Sequence, residues 1–161
     1  MKMKIYVGAT WEERQTAKWT MGELEKRGHV ITHDWTNHEA PNTGDPIGDE
    51  IMWEKYAEED LNGVNEADIL VVINPNGVVS TGKMIELGYA IAKGKKIYVC
   101  GKHISFPFRT QIEPIRTPDQ LFERIAAYSG KVPSCSECGS TYKLDGKNLC
   151  AACRFAMGKG E

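Results

Sequence analysis

Apolar and polar positions follow a strand pattern in five short segments of the first 130 residues. Apolar runs at 4–9, 67–75 and 96–101 predict strands, and shorter runs at 29–35 and 112–115 predict two more. The run at 67–75 is almost continuously apolar, which is typical of a parallel strand buried on both faces. These segments therefore predict a largely buried sheet.

The segments between the predicted strands have helical spacing or composition. Four of them predict helices: 12–27, 51–64, 82–92 and a final amphipathic segment that begins at Thr117. Gly28 is typical of a helix C-terminus, and Thr117 followed by Pro118 is typical of a helix N-terminus. The alternation of strands and helices predicts an α/β fold with a doubly wound, flavodoxin-like parallel sheet.

Two polar segments interrupt this alternation. Residues 36–48 are rich in Asn, Pro, Gly and Asp and predict a loop long enough to act as a lid. Residues 130–134 resemble a linker, and the composition changes after them. We therefore expect two domains, 1–130 and 131–161.

The second domain contains two cysteine pairs. Cys135-x-x-Cys138 is followed, after eleven residues, by Cys150-x-x-Cys153. This spacing predicts a zinc-ribbon-like lobe in which four thiolates bind one structural Zn²⁺, with no open position for substrate. The alternative is two disulfides, which require an oxidising compartment. A lobe this small has few apolar residues, so metal binding would supply its folding free energy.

Charge and hydropathy indicate which classes of binding partner the protein has. The formal net charge is -2 and the pI is about 6.1, so the chain has no overall basic field for nucleic acid. The zinc lobe is mildly basic and aromatic, which fits a protein or nucleic-acid contact and equally fits a solvated face. No apolar stretch approaches the roughly 20 residues needed to span a bilayer. We expect a cytoplasmic protein with no membrane partner.

The segment from Ser80 to Ala90 contains the strongest candidate for catalysis. It follows the buried strand 67–75 and carries one carboxylate, Glu86. Ligands of open α/β sheets bind beyond the carboxyl ends of the strands, so Glu86 is well placed to face a substrate. The alternative is a carboxylate that only interacts favourably with the helix dipole.

A second carboxylate, Asp60, shares a helix face with Trp53 and Tyr56 at helical spacing. Asp60 is either functional or one more member of an acidic, solvated face. The four histidines, His29, His33, His38 and His103, show no metal-binding spacing. We assign them no role.

Three segments carry a resemblance to a known family. They are Ile5-Tyr-Val-Gly-Ala-Thr-Trp11 with Arg14-Gln15, Asp60 to Asp68, and Met84-Ile-Glu-Leu-Gly-Tyr-Ala90 with Gly94-Lys95. Together they resemble the nucleoside 2-deoxyribosyltransferases. The resemblance implies that Glu86 is the nucleophile that attacks C1′ of the deoxyribose and that Tyr6 assists it. It also implies a nucleoside or nucleotide substrate, a homo-oligomer, and no catalytic cofactor.

The chemistry of glycosidic cleavage suits these residues. The transition state has oxocarbenium character, which a carboxylate at the anomeric carbon stabilises or traps covalently. The leaving base needs a proton, for which Asp60 is the candidate donor. Gly8 and Trp11 of the first segment are expected to bind substrate, Trp11 by stacking on the base or, alternatively, as a core aromatic.

One position departs from the transferase pattern. Many deoxyribosyltransferases have Asp six residues before the nucleophile, where this chain has Ser80, as in the related 2′-deoxynucleoside 5′-monophosphate N-hydrolases. Ser80, Thr81, Gly82 and Lys83 would attract a 5′-phosphate that an Asp would repel. A helix cap without a ligand explains the same residues.

The sequence is compatible with several functions. A second base as acceptor makes the enzyme a transferase, and water makes it a hydrolase. Cleavage of NAD-type dinucleotides is a more distant alternative, because TIR-like NADases also use a Glu on a flavodoxin-like sheet. A nucleotide-binding sensor without catalysis is the non-enzymatic alternative.

Overall fold

The computed structural model describes residues 1–39, 41–102 and 112–128. Five strands form one parallel sheet: β1 (Lys4–Gly8), β2 (Val30–Ile31), β3 (Ile69–Asn74), β4 (Lys96–Gly101) and β5 (Ile112–Ile115). Four helices accompany them: α1 (Arg14–Lys26), α2 (Pro46–Glu66), α3 (Thr81–Ala92) and α4 (Pro118–Ala127). Short 3-10 turns lie at Trp11–Glu13 and Trp35–Asn37. The predicted zinc lobe, its four cysteines and His103 lie outside the described residues.

The strand order is β2-β1-β3-β4-β5, so the predicted flavodoxin-like sheet is confirmed. All six residues of β3, the central strand, are buried, as its continuous apolar sequence predicted. The chain leaves β1 toward one edge and returns to β3 on the other side. The crevice between the carboxyl ends of β1 and β3 is therefore the topological switch point, where such folds bind ligands.

The helices cover both faces of the sheet. On one face Trp19 of α1 contacts Phe122 of α4, with ring centroids 6.4 Å apart. On the other face α2 packs against α3 and β1. Cys100 of β4 packs against the core, and burial raises the pKa of its thiol to about 12, which keeps it protonated. Within the described part of the chain, no helix has the length and apolar character needed to cross a bilayer.

Two predicted boundaries differ from the structure. Helix α2 begins at Pro46, inside the predicted loop, because the Asp45 side chain caps it by accepting from the amide of Ile47. The predicted strand 29–35 pairs with β1 over Val30–Ile31 only. The predicted N-terminus of α4 is confirmed, since the Thr117 hydroxyl accepts from the Gln120 amide and Pro118 is the first helical residue.

Candidate active site

Three predicted catalytic side chains meet at the switch point. Tyr6 of β1 is fully buried, and its Oη lies 3.0 Å from Oδ1 of Asp60 and 3.2 Å from Oε1 of Glu86. Asp60 is on α2 and Glu86 on α3, so the sheet and both helices hold one cluster. The Tyr6 phenol therefore contacts two carboxyls that lie 54 and 80 residues away in the sequence.

A phenol has one proton and can donate it to only one of these carboxyls. If Tyr6 donates to Asp60, its contact with Glu86 requires a proton on the Glu86 carboxyl, and the converse holds if it donates to Glu86. The geometry therefore favours a cluster in which the two carboxyls share one acidic proton.

Burial sets the electrostatics of this cluster. It raises the pKa of Glu86 to about 8, and the negative charge of Asp60 adds to the effect. Burial also raises the pKa of Asp60, against the lowering effects of Tyr6, His33 and His38. The pKa of Tyr6 is raised by burial and by both carboxylates. Glu86 is consequently largely protonated at pH 7.

The raised pKa of Glu86 makes stability depend on pH. Its unfolded value is near 4.5, so the folded chain holds an extra proton between 4.5 and about 8, and stability falls as pH rises through that window. Because glutamine stays neutral, we expect Glu86→Gln to be more stable than the wild type by about 3–5 kcal/mol at pH 8.5 and by less than about 1 kcal/mol at pH 5. Urea unfolding at both pH values measures this. An equal difference at both would contradict the assigned pKa.

Gly8, at the end of β1, leaves room for the Glu86 carboxylate. A Cβ at this position would lie 2.5 Å from Oε2 of Glu86, an oxygen with no hydrogen-bond partner among the described residues. We expect Gly8→Ala to displace the carboxylate and lower kcat/KM about 100-fold, the cost of a misplacement of about 1 Å. Gly22→Ala is the matched control, because its Cβ would meet nothing within 4 Å. Equal activity of both variants would exclude this role of Gly8.

Beside Asp60 lies an aromatic cavity of about 340 Å³, large enough for a small ligand. Its walls are Trp11, Trp35, His38, Glu39, Trp53, Tyr56, Ala57 and Asp60. The rings of Trp53 and Tyr56 meet edge to face with centroids 6.1 Å apart, as their spacing on α2 suggested. Trp11 is 43% exposed at the rim, so it lies where it can stack on a ligand and is not a core residue.

Lys83 does not lie where a counter-charge for phosphate was expected. Its Nζ is fully buried and donates to Oε2 of Glu13 at 3.3 Å, Oδ1 of Asn74 at 3.0 Å and the carbonyl of Val78 at 3.1 Å. These three acceptors use all three donors of the ammonium. Lys83 therefore ties the segments after β1 and β3 together and does not face a ligand.

Ser80, Thr81 and Gly82 form the N-terminus of α3. The Ser80 hydroxyl accepts from the amide of Lys83 at 3.4 Å, so the predicted cap is present, while Thr81 and Gly82 are exposed. Glu86 is the sixth residue of α3, beyond the first turn, and lies about 9 Å along the helix axis from Ser80 at 1.5 Å per residue.

Sequence reasoning missed two histidines of this region. His33 Nε2 lies 3.6 Å from Oδ1 of Asp60, and His38 Nε2 lies 3.4 Å from Oε2 of Glu59. His38 also stacks on Tyr56, with centroids 3.9 Å apart. These residues have no spacing signal because they follow β2 in an irregular segment, and only the fold brings them to α2.

The sequence and the fold are similar to those of known proteins. The sequence model of the family described as nucleoside 2-deoxyribosyltransferase matches residues 5–120. The fold is similar to CMP N-glycosidase BcmB from Clostridium botulinum, with 19% identity, 78% of this chain and 99% of that chain covered, and a TM-score of 0.51. No curated protein matches the chain.

A second solved structure has the same fold. It is the 2-deoxyribosyltransferase from the psychrotolerant bacterium Bacillus psychrosaccharolyticus, with 17% identity, 78% of this chain and 92% of that chain covered, and a TM-score of 0.52. At such identities the two structures support the fold alone.

Proposed function

The chain belongs to the nucleoside 2-deoxyribosyltransferase family, a family of enzymes, and we propose that it cleaves the N-glycosidic bond of 2′-deoxynucleosides or their 5′-monophosphates through a glycosyl intermediate on Glu86. The observation that carries this proposal is the contact of both carboxyls with one phenol oxygen.

The two contacts limit the separation of the carboxyls. Oδ1 of Asp60 and Oε1 of Glu86 lie 3.0 and 3.2 Å from the same oxygen, so they are at most about 6.2 Å apart. Inverting glycosidases keep their carboxyls roughly 6.5–9.5 Å apart to admit a water, whereas retaining enzymes keep them about 5–5.5 Å apart and form a covalent intermediate. The bound on these two oxygens is compatible with the spacing of retaining enzymes, and so with nucleophilic attack by Glu86.

The proposed reaction has two steps. A carboxylate oxygen of Glu86 bonds to C1′ as the bond from C1′ to the base nitrogen breaks, and the electron pair leaves with the base, which takes a proton from Asp60. An acceptor, activated by the Asp60 carboxylate, then attacks C1′ and releases Glu86. Water gives the free sugar, and a second base gives a new nucleoside.

Tyr6 resolves the conflict between a protonated Glu86 and its role as nucleophile. With the proton on Glu86, this carboxyl donates to the phenol oxygen and Tyr6 donates to Asp60. Moving both protons along these hydrogen bonds gives an ionised Glu86 and a protonated Asp60 without changing the net charge. Tyr6 would thus convert the resting cluster into the reactive form.

We expect Tyr6→Phe to lower kcat about 10²- to 10³-fold, because it removes the bridge while the ring keeps its packing. The control is Tyr98→Phe, which removes a hydroxyl that donates to the carbonyl of Arg124, away from the carboxyl cluster. Comparison of kcat for both variants measures the effect. A Tyr6→Phe enzyme as active as Tyr98→Phe would exclude the bridge.

The N-terminus of α3 supports a substrate with a 5′-phosphate. Ser80 and Thr81 have hydroxyls, Gly82 leaves the backbone accessible, and the helix N-terminus would attract an anion. This terminus lies about 9 Å along α3 from Glu86. The same helix would therefore bind the 5′-phosphate at its N-terminus and present Glu86 to the anomeric carbon. Lys83 has no direct part in this binding.

The experiment is incubation of the protein with dCMP, dGMP, dAMP, dTMP and the free nucleosides, each with and without an added second base. Released base identifies a hydrolase, and exchanged nucleoside or nucleotide identifies a transferase. CMP is included because one structural neighbour is a CMP N-glycosidase. Faster cleavage of monophosphates would support the role of Ser80, and no base release from any compound would overturn the proposal.

The same incubation distinguishes the proposed enzyme from an NAD-type glycohydrolase and from a nucleotide sensor. NAD⁺ as an added substrate tests the glycohydrolase, and ligand-induced stabilisation without base release would indicate the sensor. The homo-oligomer and the zinc bound by Cys135, Cys138, Cys150 and Cys153 remain predictions.

A further inference from the structure

A second cluster of side chains lies beside the aromatic cavity. It consists of His33, which follows β2, His38, and Glu59 of α2. Each offers one ligand atom, and these atoms all lie within 4.8 Å of one another. His38 Nε2 and Glu59 Oε2 are already 3.4 Å apart, which is near the spacing of two ligands around a tetrahedral ion with bonds of about 2.0–2.1 Å.

The fold holds the two imidazoles in place. The His38 ring stacks on Tyr56 with an interplanar angle of 12°. The Cβ of His33 lies against α2 at Gly63, where any side chain would approach it to 2.7 Å. The ring of His38 and the Cβ of His33 are therefore held by packing before any ligand binds.

One atom of the cluster has no hydrogen-bond partner in the part of the chain that the structure describes. His33 Nε2 is buried and has no hydrogen-bond partner among the described residues. Its distance of 3.6 Å from Oδ1 of Asp60 exceeds hydrogen-bonding range. A buried nitrogen of this kind indicates a bound water or ion, because leaving it unsatisfied is costly.

We propose that His33, His38 and Glu59 bind a divalent transition metal, with zinc as the best match. Two imidazole nitrogens and one carboxylate oxygen form a zinc-type donor set, whereas Ca²⁺ and Mg²⁺ prefer oxygen ligands. Three protein ligands leave a fourth position for water. The side chains are 21%, 18% and 36% exposed in that order, which gives an ion a path from solvent.

Charge also favours a cation at this position. With neutral imidazoles the three ligands carry one negative charge, and Asp60 supplies a second carboxylate nearby. The site would lie next to the carboxyl that we propose as proton donor, a consequence that rests on the proposed function, whereas the site itself does not.

The test uses Co²⁺ as a spectroscopic substitute for zinc in the full-length protein. Bound by two histidines and a carboxylate, Co²⁺ is expected to give visible d–d bands without sulfur charge transfer, whereas a four-cysteine site gives intense near-ultraviolet thiolate bands. Because a four-cysteine site also has visible d–d bands, the nitrogen-oxygen site is counted from the visible absorption that His33→Gln removes while the thiolate bands stay unchanged, and this count does not depend on catalytic turnover.

We expect His33→Gln and Glu59→Gln to weaken binding at the nitrogen-oxygen site at least about 100-fold, since loss of outer-shell partners alone costs 10- to 100-fold. Glu54→Gln on the same helix and His29→Gln away from the cluster are the matched controls. Unfolding midpoints verify that each variant is folded. Wild-type protein with thiolate bands only, or equal Co²⁺ affinity in all four variants, would overturn the proposal.

Discussion

Glu86→Gln is expected to lower base release at least about 10³-fold while the affinity for substrate changes only a few-fold. The substitution keeps the size of the side chain and removes the oxygen nucleophile, so the covalent step is lost and ground-state binding is not. Because Glu86 lies buried beside Tyr6, the amide still fills the same space. Single-turnover kinetics and calorimetric binding of the intact substrate measure the two quantities.

The control for Glu86→Gln is Glu54→Gln, which changes an exposed carboxylate of α2. We expect this control to keep wild-type kcat and KM. If Glu86→Gln raised KM with kcat unchanged, Glu86 would be a binding residue and not a nucleophile. If both variants lost activity equally, the effect would not be specific to Glu86.

Asp60→Asn is expected to lower kcat about 10²- to 10⁴-fold, the usual contribution of a positioned proton donor. Asparagine retains the shape and can still hydrogen-bond Tyr6, but it has no acidic proton for the departing base. The loss should depend on the leaving group. A base that carries a positive charge before departure, such as 7-methylguanine, needs no proton.

Cleavage of 7-methyl-2′-deoxyguanosine, or of its 5′-monophosphate, separates this role from a structural one. We expect Asp60→Asn to release the methylated base in a single turnover within about 10-fold of the wild-type rate, because this first step then needs no proton from Asp60. Glu86→Gln should fail on both substrates. An Asp60→Asn enzyme that is equally slow on both would mean that Asp60 positions Tyr6 and does not supply the proton.

The fold was predictable because its signals are local. The continuous apolar run of β3 and the helical segments between strands define the order of elements, and the Thr117-Pro118 pair marks the start of α4. The predicted start of α2 was wrong because a single side chain determines where this helix begins. Asp45 extends α2 into the predicted loop by capping it, an effect that composition does not reveal.

The site was predictable only in part. Glu86, Asp60 and Tyr6 were selected from segments that resemble the family, and the structure brings them together at one oxygen. The position of Lys83 was not predictable, because its burial depends on Glu13 and Asn74 from two other segments. The sequence around a lysine in a phosphate-binding loop is the same whether its ammonium group faces the ligand or the core.

The cluster of His33, His38 and Glu59 shows the same limit. Its ligands come from an irregular segment after β2 and from a helix about two turns before its end, so no fixed spacing relates them. Tertiary structure alone places them within reach of one ion. Sites of this kind are found from the fold and not from motifs.

Rapid-quench mass spectrometry of the protein mixed with substrate tests the glycosyl intermediate most directly. We expect peptides containing Glu86 to gain the mass of one deoxyribosyl group, with its phosphate if the substrate has one, during turnover. The same peptides from Glu86→Gln should gain nothing. Base release by the wild type without any adduct under fast quenching, or an adduct on a residue other than Glu86, would contradict nucleophilic attack by Glu86.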